Sequence, residues 1–330
     1  MSWLVTGGAG YIGSHVVHAM TAAGHRLVVV DDLSTGKASR LPTEVTLVRG
    51  SVLDRPMLEE TMKAHGISGV LHFAARKQVN ESVAQPLLYY ETNVHGTLTI
   101  LKAAVAAGVR KFVFSSSAAV YGMPDVELVT EETPCVPINP YGESKLAGEW
   151  MVSSVGAAHG MATACLRYFN VAGAASPALS DDSVSNLVPM VFQRLQAGAR
   201  PRLFGSDYPT PDGSCIRDFV HVSDVATAHV AAAERLLRTG SPMRLTLNIG
   251  RGEGVSVREM LRVIRQVTGR DTEPALAPRR PGDAARVVAS ADRIRAILGW
   301  TATHSIEEMV ASAWEAWQAR HPNPLPTAHP

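Results

Sequence analysis

Thr6-Gly7-Gly8-Ala9-Gly10-Tyr11-Ile12-Gly13 follows directly on a short apolar run at the start of the chain and opens an amphipathic segment. Gly7 permits a tight turn, Gly10 lets the backbone approach a pyrophosphate, and Gly13 lets a helix pack closely on a sheet. The helix that follows offers unpaired N–H groups and a positive dipole end to phosphates. Glycine-rich turns also occur without a ligand, but the strand–loop–helix context predicts a dinucleotide-binding loop.

The first half of the chain alternates between short apolar runs and amphipathic segments of helical length. This alternation predicts an α/β fold with a doubly wound parallel Rossmann-type sheet, whose ligands bind at the carboxyl ends of the strands. The predicted strands are Trp3–Thr6, Leu27–Asp31, Val45–Arg49, Gly69–Phe73, Lys111–Ser115 and Ala162–Arg167, and the predicted helices lie near Ile12–Ala23, Pro56–His65, Pro86–Ala107 and Tyr141–His159.

The alternation weakens after Phe169, where small and polar residues become frequent. We expect a smaller, irregular α/β domain there, with segments near residues 215–250 returning to the first domain. Leu245–Ile249 is the candidate for a returning strand, and a helix is predicted from Ser256 to Thr268.

The composition points to a small-molecule partner. Of the 330 residues, 46% are apolar and 18% are charged, and the formal net charge is +1. These values fit a compact protein and give no reason to expect a nucleic-acid or membrane surface. Three scattered cysteines show no metal-ligand spacing and favour a reducing compartment. We therefore expect a cytoplasmic protein with no metal site.

A carboxylate ends the second predicted strand. Asp31 comes 18 residues after Gly13, where an acidic residue hydrogen-bonds both ribose hydroxyls and repels a 2′-phosphate. This favours NAD over NADP as the cofactor. Asp31 or Asp32 could instead cap the following turn, and Arg40 remains a candidate for binding an extra phosphate.

A tyrosine and a lysine lie four residues apart at a predicted helix start. Because residues i and i+4 share a helix face, Lys145 lies on the same side as Tyr141. A nearby ammonium ion and an oxidised nicotinamide would both stabilise a phenolate, which makes the tyrosine a candidate base. This spacing also arises by chance. The hydroxyl-rich stretch Ser115–Ser117 at a strand end strengthens the hypothesis, although Ser115 and Ser116 could simply form a polar turn.

These motifs resemble the extended short-chain dehydrogenase/reductase family, and within it the UDP-glucose 4-epimerases. The Asp207–Gly213 and Arg217–Val222 stretches are the parts most specific to the epimerases. The resemblance runs nearly end to end, through Thr6–Gly13, Phe73–Ala75, Phe114–Gly122, Tyr141–Lys145, Leu166–Asn170, Asp207–Gly213, Arg217–Val222 and Ala277–Asp283.

The resemblance implies a role for each matching residue. Tyr141 would be the base, Lys145 its electrostatic partner and a ligand of the NAD ribose, and Ser117 the assisting hydroxyl. Residues implied to contact NAD are Gly7, Gly10, Tyr11, Ile12, Gly13, Asp31, Ser51, Val52, Phe73, Ala74, Ala75, Lys77, Asn93, Ser115, Tyr141, Lys145 and Tyr168. Residues implied to contact the UDP-sugar are Ser117, Tyr141, Asn170, Asn186, Leu187, Phe204 (against uracil), Arg217 and Arg280 (on the diphosphate), Asp283 and Val287.

Three departures from the family pattern are visible. Ser51 stands where the family usually has an acidic residue that reaches adenine. The segment Gly173–Asn186 is short, which leaves the uridine side open. Val287 replaces the bulky tyrosine of the sugar pocket, and we hypothesise that it admits N-acetylhexosamines.

The implied reaction is epimerisation at C4 of a UDP-hexose through a transient 4-keto sugar. Tyr141 would take the C4 hydroxyl proton while hydride passes to NAD, and both would return after the sugar turns over. A related epimerase specific for UDP-GlcNAc or a UDP-pentose is an alternative. A dehydratase is disfavoured because Ala118 and Ala119 occupy its acid/base positions. A non-catalytic NAD-binding protein is disfavoured because tyrosine, lysine and serine occur together.

The resemblance also implies a domain division and an assembly. Residues 1–170 would form the NAD-binding domain and residues 171–330 the UDP-sugar-binding domain. A homodimer is expected through the helices predicted at Pro86–Ala107 and Tyr141–His159.

Overall fold

Seven parallel strands form the main sheet in the computed structural model, which describes residues 1–181, 183–239, 242–280 and 282–322. The predicted α/β doubly wound fold is confirmed. The strands are β1 (Ser2–Thr6), β2 (Arg26–Asp31), β3 (Thr46–Arg49), β4 (Ile67–His72), β5 (Lys111–Ser117), β6 (Ala162–Tyr168), β7 (Asn170–Ala172), β8 (Arg202–Phe204), β9 (Ile216–His221), β10 (Arg244–Ile249), β11 (Gly254–Ser256), β12 (Ala275–Ala277) and β13 (Arg286–Val287).

The order across the main sheet is β10-β6-β5-β4-β1-β2-β3. From β1 the chain adds β2 and β3 on one side of the sheet, and it then crosses back to add β4, β5, β6 and β10 on the other side. The loops after β1 and β4 therefore meet at the carboxyl edge. Ligands of doubly wound sheets bind at such a point.

Helices cover both faces of this sheet. On one face α1 packs on α8, and on the other α2, α5 and α6 pack side by side. Each face has an apolar core, because parallel strands covered on both sides bury nearly every side chain. The helices are α1 (Tyr11–Ala22), α2 (Arg55–Ala64), α3 (Val79–Ala84), α4 (Pro86–Tyr89), α5 (Gly96–Ala106), α6 (Pro140–His159), α7 (Leu187–Gln196), α8 (Val222–Arg238), α9 (Val257–Thr268), α10 (Asp292–Leu298) and α11 (Ile306–Arg320).

The single helix predicted over Pro86–Ala107 is wrong in detail. A π-helical segment, Tyr90–His95, lies between α4 and α5. The wider turn brings the side chain of Asn93 inward, where its amide bonds to the backbone of Arg76. Segments of this kind often occur at functional sites.

The second half builds two smaller sheets against the carboxyl edge of the main one. In the first, β9 pairs with β7, β11 and β13, and in the second, β8 pairs with β12. Helices α7, α9 and α11 enclose the separate core of this half. Of the segments near residues 215–250, β10 joins the main sheet and α8 covers it, whereas β9 belongs to a smaller sheet.

Across the described ranges, no helix combines the length and apolar character needed to cross a bilayer. The three cysteines are free thiols; Cys165 and Cys215 are buried and Cys135 is half-buried.

Candidate active site

The glycine loop after β1 has the geometry of a phosphate cradle. Gly7 has φ +70°, and a Cβ there would lie 2.6 Å from the backbone nitrogen of Ala74. A Cβ on Gly13 would lie 2.2 Å from the carbonyl oxygen of Gly7, so only glycine allows α1 to start this close to the loop. Gly10 caps α1 without a side chain, and the first turn, which holds Tyr11 and Ile12, has no acidic residue. Its N–H groups therefore suit the pyrophosphate of NAD.

Asp31, at the end of β2, faces this loop. Its carboxylate accepts from Ala9 N at 2.9 Å and from Leu33 N at 2.8 Å, so it also caps the turn. Burial raises its pKa, and the two backbone bonds lower it. Each oxygen keeps a lone pair for a ribose hydroxyl. The guanidinium of Arg40 donates to Ser180 O at 2.7 Å.

The ends of β3 and β4 supply the next group of residues. Ser51 is half-buried and its hydroxyl accepts from Leu53 N, while Val52 is buried. Phe73 N and Ala74 N both donate to Thr6 O, which fixes Phe73-Ala74-Ala75 against the glycine loop.

Lys77 and Asn93, two of the predicted cofactor residues, are engaged by protein groups. Lys77 is exposed and its ammonium lies 3.8 Å from Asp181 Oδ1 and 5.8 Å from the centre of the Tyr11 ring. Asn93 donates to Ser144 Oγ at 2.9 Å and to Arg76 O at 3.0 Å. Asn93 therefore connects Arg76, the residue before Lys77, to Ser144 on α6.

Tyr141 and Lys145 are placed by the start of α6. The side chain of Asn139 accepts from Gly142 N at 2.9 Å, and Pro140 occupies the first turn, where its missing N–H costs nothing. Both functional side chains are buried, at 7% exposure for Tyr141 and 4% for Lys145.

The two side chains contact the end of β5. The phenol of Tyr141 interacts with the hydroxyl of Ser117, which lowers the pKa of the phenol. The ammonium of Lys145 donates to Ser115 O at 2.8 Å, and Ser115 Oγ lies 2.7 Å from the hydroxyl of Tyr168. The structure thus brings together the tyrosine, lysine and serine that the sequence singled out.

The electrostatics of Tyr141 differ from the sequence-based expectation. Burial raises the pKa of its phenol, and the hydrogen bond with Ser117 lowers it by less. The ammonium of Lys145 is directed at a carbonyl, and burial lowers the pKa of Lys145 to about 8. In the protein alone Tyr141 is therefore a neutral phenol, and its activation as a base requires the charge of bound ligands.

The second half of the chain supplies two arginine side chains and an aromatic ring. The guanidinium of Arg280 lies 4.7 Å from the ring centre of Phe204. Asp283 accepts from Arg280 Nε at 2.8 Å, and its other oxygen lies 3.5 Å from Arg217 Nη2. Guanidinium groups so placed can bind a diphosphate bidentately. Val287 is half-buried on β13 and pairs with Arg217 on β9.

The remaining predicted residues lie between the end of β6 and the start of α7. Asn170 is exposed at the start of β7, and Leu187 is half-buried at the start of α7. Asn186 donates to Asp181 Oδ2 at 2.8 Å.

Asp181 is a site residue that the sequence did not predict. Its carboxylate contacts both Lys77, a predicted cofactor residue, and Asn186, a predicted substrate residue. No local pattern signals this contact, because Lys77 and Asp181 are far apart in sequence and meet only through the packing of the two halves of the chain. Within the described residues, no cluster of His, Cys, Asp and Glu is arranged to hold a metal ion.

Comparisons with known proteins agree with this geometry. The model of the NAD dependent epimerase/dehydratase family matches residues 3–250. The UDP-glucose 4-epimerase of Azospirillum brasilense is 48% identical over 320 residues, which are 94% of this chain and 91% of the relative.

Solved structures are similar over nearly the full length. A UDP-glucose 4-epimerase from Stenotrophomonas maltophila, crystallised with NAD and formylated UDP-arabinopyranose, has a TM-score of 0.93 and 39% identity, covering 98% of this chain and 100% of that one. The enzyme from Bifidobacterium longum, crystallised with NAD+ and UDP, has a TM-score of 0.89 and 36% identity, covering 98% and 99%. The chain therefore belongs to the NAD-dependent epimerase/dehydratase family, and its resemblance to the UDP-glucose 4-epimerases is confirmed.

Proposed function

We propose that this protein is an isomerase, an NAD-dependent UDP-hexose 4-epimerase that interconverts UDP-glucose and UDP-galactose. The observation that carries the proposal is the buried Tyr141, which interacts with Ser117 and lies one helical turn from Lys145, at the sheet edge that also carries the glycine loop. Proton transfer by a positioned tyrosine next to a dinucleotide site is what oxidation and re-reduction of an alcohol require.

The protein's own residues handle the proton and the orientation of the sugar. Tyr141 takes the proton of the C4 hydroxyl, and Ser117 holds both oxygens by hydrogen bonds. Acceptance and return of hydride at C4 is the chemistry that bound NAD supplies. Tyr141 then returns the proton after the 4-keto sugar has turned its other face. The buried position of Tyr141 excludes water, which protects the keto sugar from side reactions.

The cofactor is held by groups that the fold leaves available. The N-terminus of α1 with Gly7, Gly10 and Gly13 suits the pyrophosphate, and Asp31 suits the adenine ribose. Lys145 keeps two N–H donors beyond its bond to Ser115 O, and these suit the nicotinamide ribose. The remaining cofactor contacts proposed are Tyr11, Ile12, Ser51, Val52, Phe73, Ala74, Ala75, Lys77, Asn93, Ser115 and Tyr168.

The UDP moiety is held at the other end. Phe204, whose ring already packs on the Arg280 guanidinium, would pack on uracil, while Arg217 and Arg280, oriented by Asp283, hold the diphosphate. Fixing the nucleotide firmly while leaving the sugar free to turn uses remote binding energy to retain the reactive intermediate. Asn170, Asn186 and Leu187 complete the proposed cleft.

We propose that the pocket also accepts UDP-N-acetylhexosamines. Val287 packs in the same cluster as Ala118, which follows the catalytic Ser117 directly. A tyrosine at this place would fill the space that an N-acetyl group needs. Val287→Tyr should lower the turnover of UDP-GalNAc at least ~10-fold relative to UDP-galactose, since loss of a pocket that fits the group costs about 1–3 kcal/mol. An unchanged ratio would refute the idea.

The domain roles and the assembly are part of the proposal. Residues 1–170 bind NAD and residues 171–330 bind the UDP-sugar, in a cytoplasmic homodimer. Leu87 and Trp150, on α4 and α6, are 80% and 64% exposed, and large apolar side chains at such exposure suit a subunit interface. Light scattering of the wild type and of Trp150→Glu tests this, and the variant should be monomeric.

The direct test is incubation of the purified protein with UDP-galactose, UDP-GalNAc and a UDP-pentose, with chromatographic resolution of the products. Conversion of UDP-galactose to UDP-glucose is the expected result. Exclusive conversion of the acetylated sugar or of the pentose would favour the narrower alternatives.

A further inference from the structure

A buried ion pair lies beneath the proposed catalytic residues, and none of the steps above uses it. Glu149 follows Lys145 by four residues on α6, so Tyr141, Lys145 and Glu149 share one helix face. Its carboxylate accepts from Arg167 Nε at 2.9 Å and from Arg167 Nη2 at 2.6 Å. Both side chains are 7% exposed. Replacing a buried pair by apolar groups is often neutral or stabilising, so stability alone does not explain its presence.

The same carboxylate contacts the strand end that carries the catalytic serine. Ser116 Oγ donates to Glu149 Oε1 at 2.5 Å. The neighbours of Ser116 on β5 are Ser115, whose carbonyl accepts from Lys145, and Ser117, which bonds to Tyr141. Glu149 therefore anchors the middle residue of the three-serine run.

Arg167 fixes the direction of the carboxylate. Its Nη1 donates to the hydroxyl of Tyr121 at 2.9 Å, and that hydroxyl donates to Asn248 Oδ1 at 2.7 Å. Asn248 in turn donates to Val129 O at 2.9 Å. This network ties the ion pair to β10 and to the loop after β5, so the carboxylate has one arrangement.

The carbonyl of Ser115 and the ring of Phe114 contact the ammonium of Lys145, and Glu149 adds a negative charge. Burial lowers the pKa of Lys145 to about 8, and the negative charge of Glu149 acts in the opposite direction. His72, on β4, is neutral near pH 7 because burial lowers its pKa to about 3. The groups that act on Lys145 from the packed elements are the Glu149 carboxylate on α6, His72 on β4, and the Ser115 carbonyl and Phe114 ring on β5, with Tyr168 on β6 bonded to Ser115 Oγ.

We propose that Glu149 is a positioning residue for the reaction: its carboxylate keeps the buried Lys145 as an ammonium ion and holds the Ser115–Ser117 strand end in register through Ser116. The proposal rests on the function proposed above. Lys145 is the group that contacts the cofactor, and Glu149 acts only through Lys145 and Ser116.

The test measures the ionisation of Lys145 directly. The chain has six lysines, Lys37, Lys63, Lys77, Lys102, Lys111 and Lys145, so carbon-13 labelling at lysine Cε gives few NMR signals, and Lys145→Met assigns the one of interest. Glu149→Gln alone leaves Arg167 buried and unpaired, which endangers folding. The double variant Glu149→Gln/Arg167→Met removes both charges at similar volume and is the main subject, prepared with its NAD content measured.

The expected result is a Lys145 titration midpoint about one pH unit or more lower in the double variant than in Arg167→Met, which keeps the Glu149 carboxylate, since removal of an adjacent opposite charge disfavours the charged form. The alkaline limb of the kcat profile should move to lower pH by the same amount. Ser116→Ala should lower kcat with the midpoint unchanged. Glu59→Gln, which breaks the exposed pair with Arg55 on α2, is the matched control and should change neither measurement.

Equal Lys145 midpoints in the folded double variant and in Arg167→Met would overturn the proposal, whatever their activity. A wild-type protein without epimerase turnover would instead overturn the proposed function, while the NMR titration still decides whether Glu149 keeps Lys145 charged.

Discussion

At the scale of the residue, the fold keeps the proposed base protonated in the absence of ligands. Burial raises the pKa of Tyr141 and lowers that of Lys145, so each group is held closer to its neutral form than in water. A base that becomes active only when charged ligands arrive does not act on water or on wrong substrates. The energy for this activation comes from binding the nucleotide parts far from C4.

Removal of the Tyr141 hydroxyl should slow the reaction and leave the binding of UDP nearly unchanged. Tyr141→Phe keeps the ring that packs against Tyr89, with centroids 6.5 Å apart, and deletes the group that moves the proton. We expect kcat to fall by about 10²–10⁴-fold, the usual contribution of a general base. The affinity for UDP, measured by calorimetry, should stay within a few-fold of the wild type. Full turnover in this variant would contradict the proposed role.

Whether a site residue can be predicted depends on how far apart in the sequence the interacting residues lie. Tyr141 and Lys145 are predictable because one helix turn fixes their relation, and Ser117 because parallel strands end at a common edge. Glu149 carried the same helical signal as Lys145. The pairing of Lys77 with Asp181 depends on how the two halves of the chain pack, and no periodicity encodes that.

At the scale of the element, two glycines of the loop after β1 have different roles. A Cβ on Gly13 would strike the carbonyl of Gly7 at 2.2 Å, whereas a Cβ on Gly10 would meet its nearest protein atom, the same carbonyl oxygen, at 3.3 Å. One glycine therefore serves the packing of α1, and the other leaves space for a ligand.

Two alanine substitutions should show this separation. Gly13→Ala should destabilise the protein by about 1–3 kcal/mol, the usual effect of forcing an extra methyl group into a packed site. Gly10→Ala should unfold at nearly the wild-type denaturant concentration but bind NAD at least ~10-fold more weakly, because the methyl group stands where the pyrophosphate approaches. Urea unfolding and NAD titration of both proteins provide the measurements. Equal loss of stability in the two variants would contradict the assignment.

The elements themselves are largely predictable because buried parallel strands are nearly continuous apolar runs. The runs at Leu27–Asp31 and Ala162–Arg167 match β2 and β6 within one residue at either end. The π-helical segment around Asn93 was not predictable, because it depends on bonds to Arg76 and Ser144.

At the scale of the whole molecule, buried histidines should govern stability in acid. Burial lowers the pKa of His15, His221 and His229 to about 4 and that of His72 to about 3. The unfolded chain binds these protons near pH 6.5, so the folded state loses stability as pH falls from about 6.5 towards 4. Asp218 acts in the opposite sense over part of this range, because burial raises its pKa to about 6.

The histidines outnumber the aspartate, so the free energy of unfolding should be lower at pH 5 than at pH 7 by several kcal/mol, at about 1.4 kcal/mol per pH unit for each group. Urea unfolding followed by circular dichroism at both pH values measures this. His229→Phe removes one of the four buried groups and should reduce the difference, whereas exposed His159→Gln should not. A stability independent of pH over this range would contradict the argument.

The most direct test of the whole account is the fate of the hydrogen on C4. The purified protein, with no NAD added, is incubated with UDP-galactose in deuterium oxide, and the UDP-glucose formed is examined by NMR and mass spectrometry. The account predicts conversion with no deuterium at C4, because a hydrogen carried as hydride does not exchange with water, and loss of that conversion in Tyr141→Phe. Deuterium at C4 of the product, or no interconversion by a protein shown to contain NAD, would contradict it.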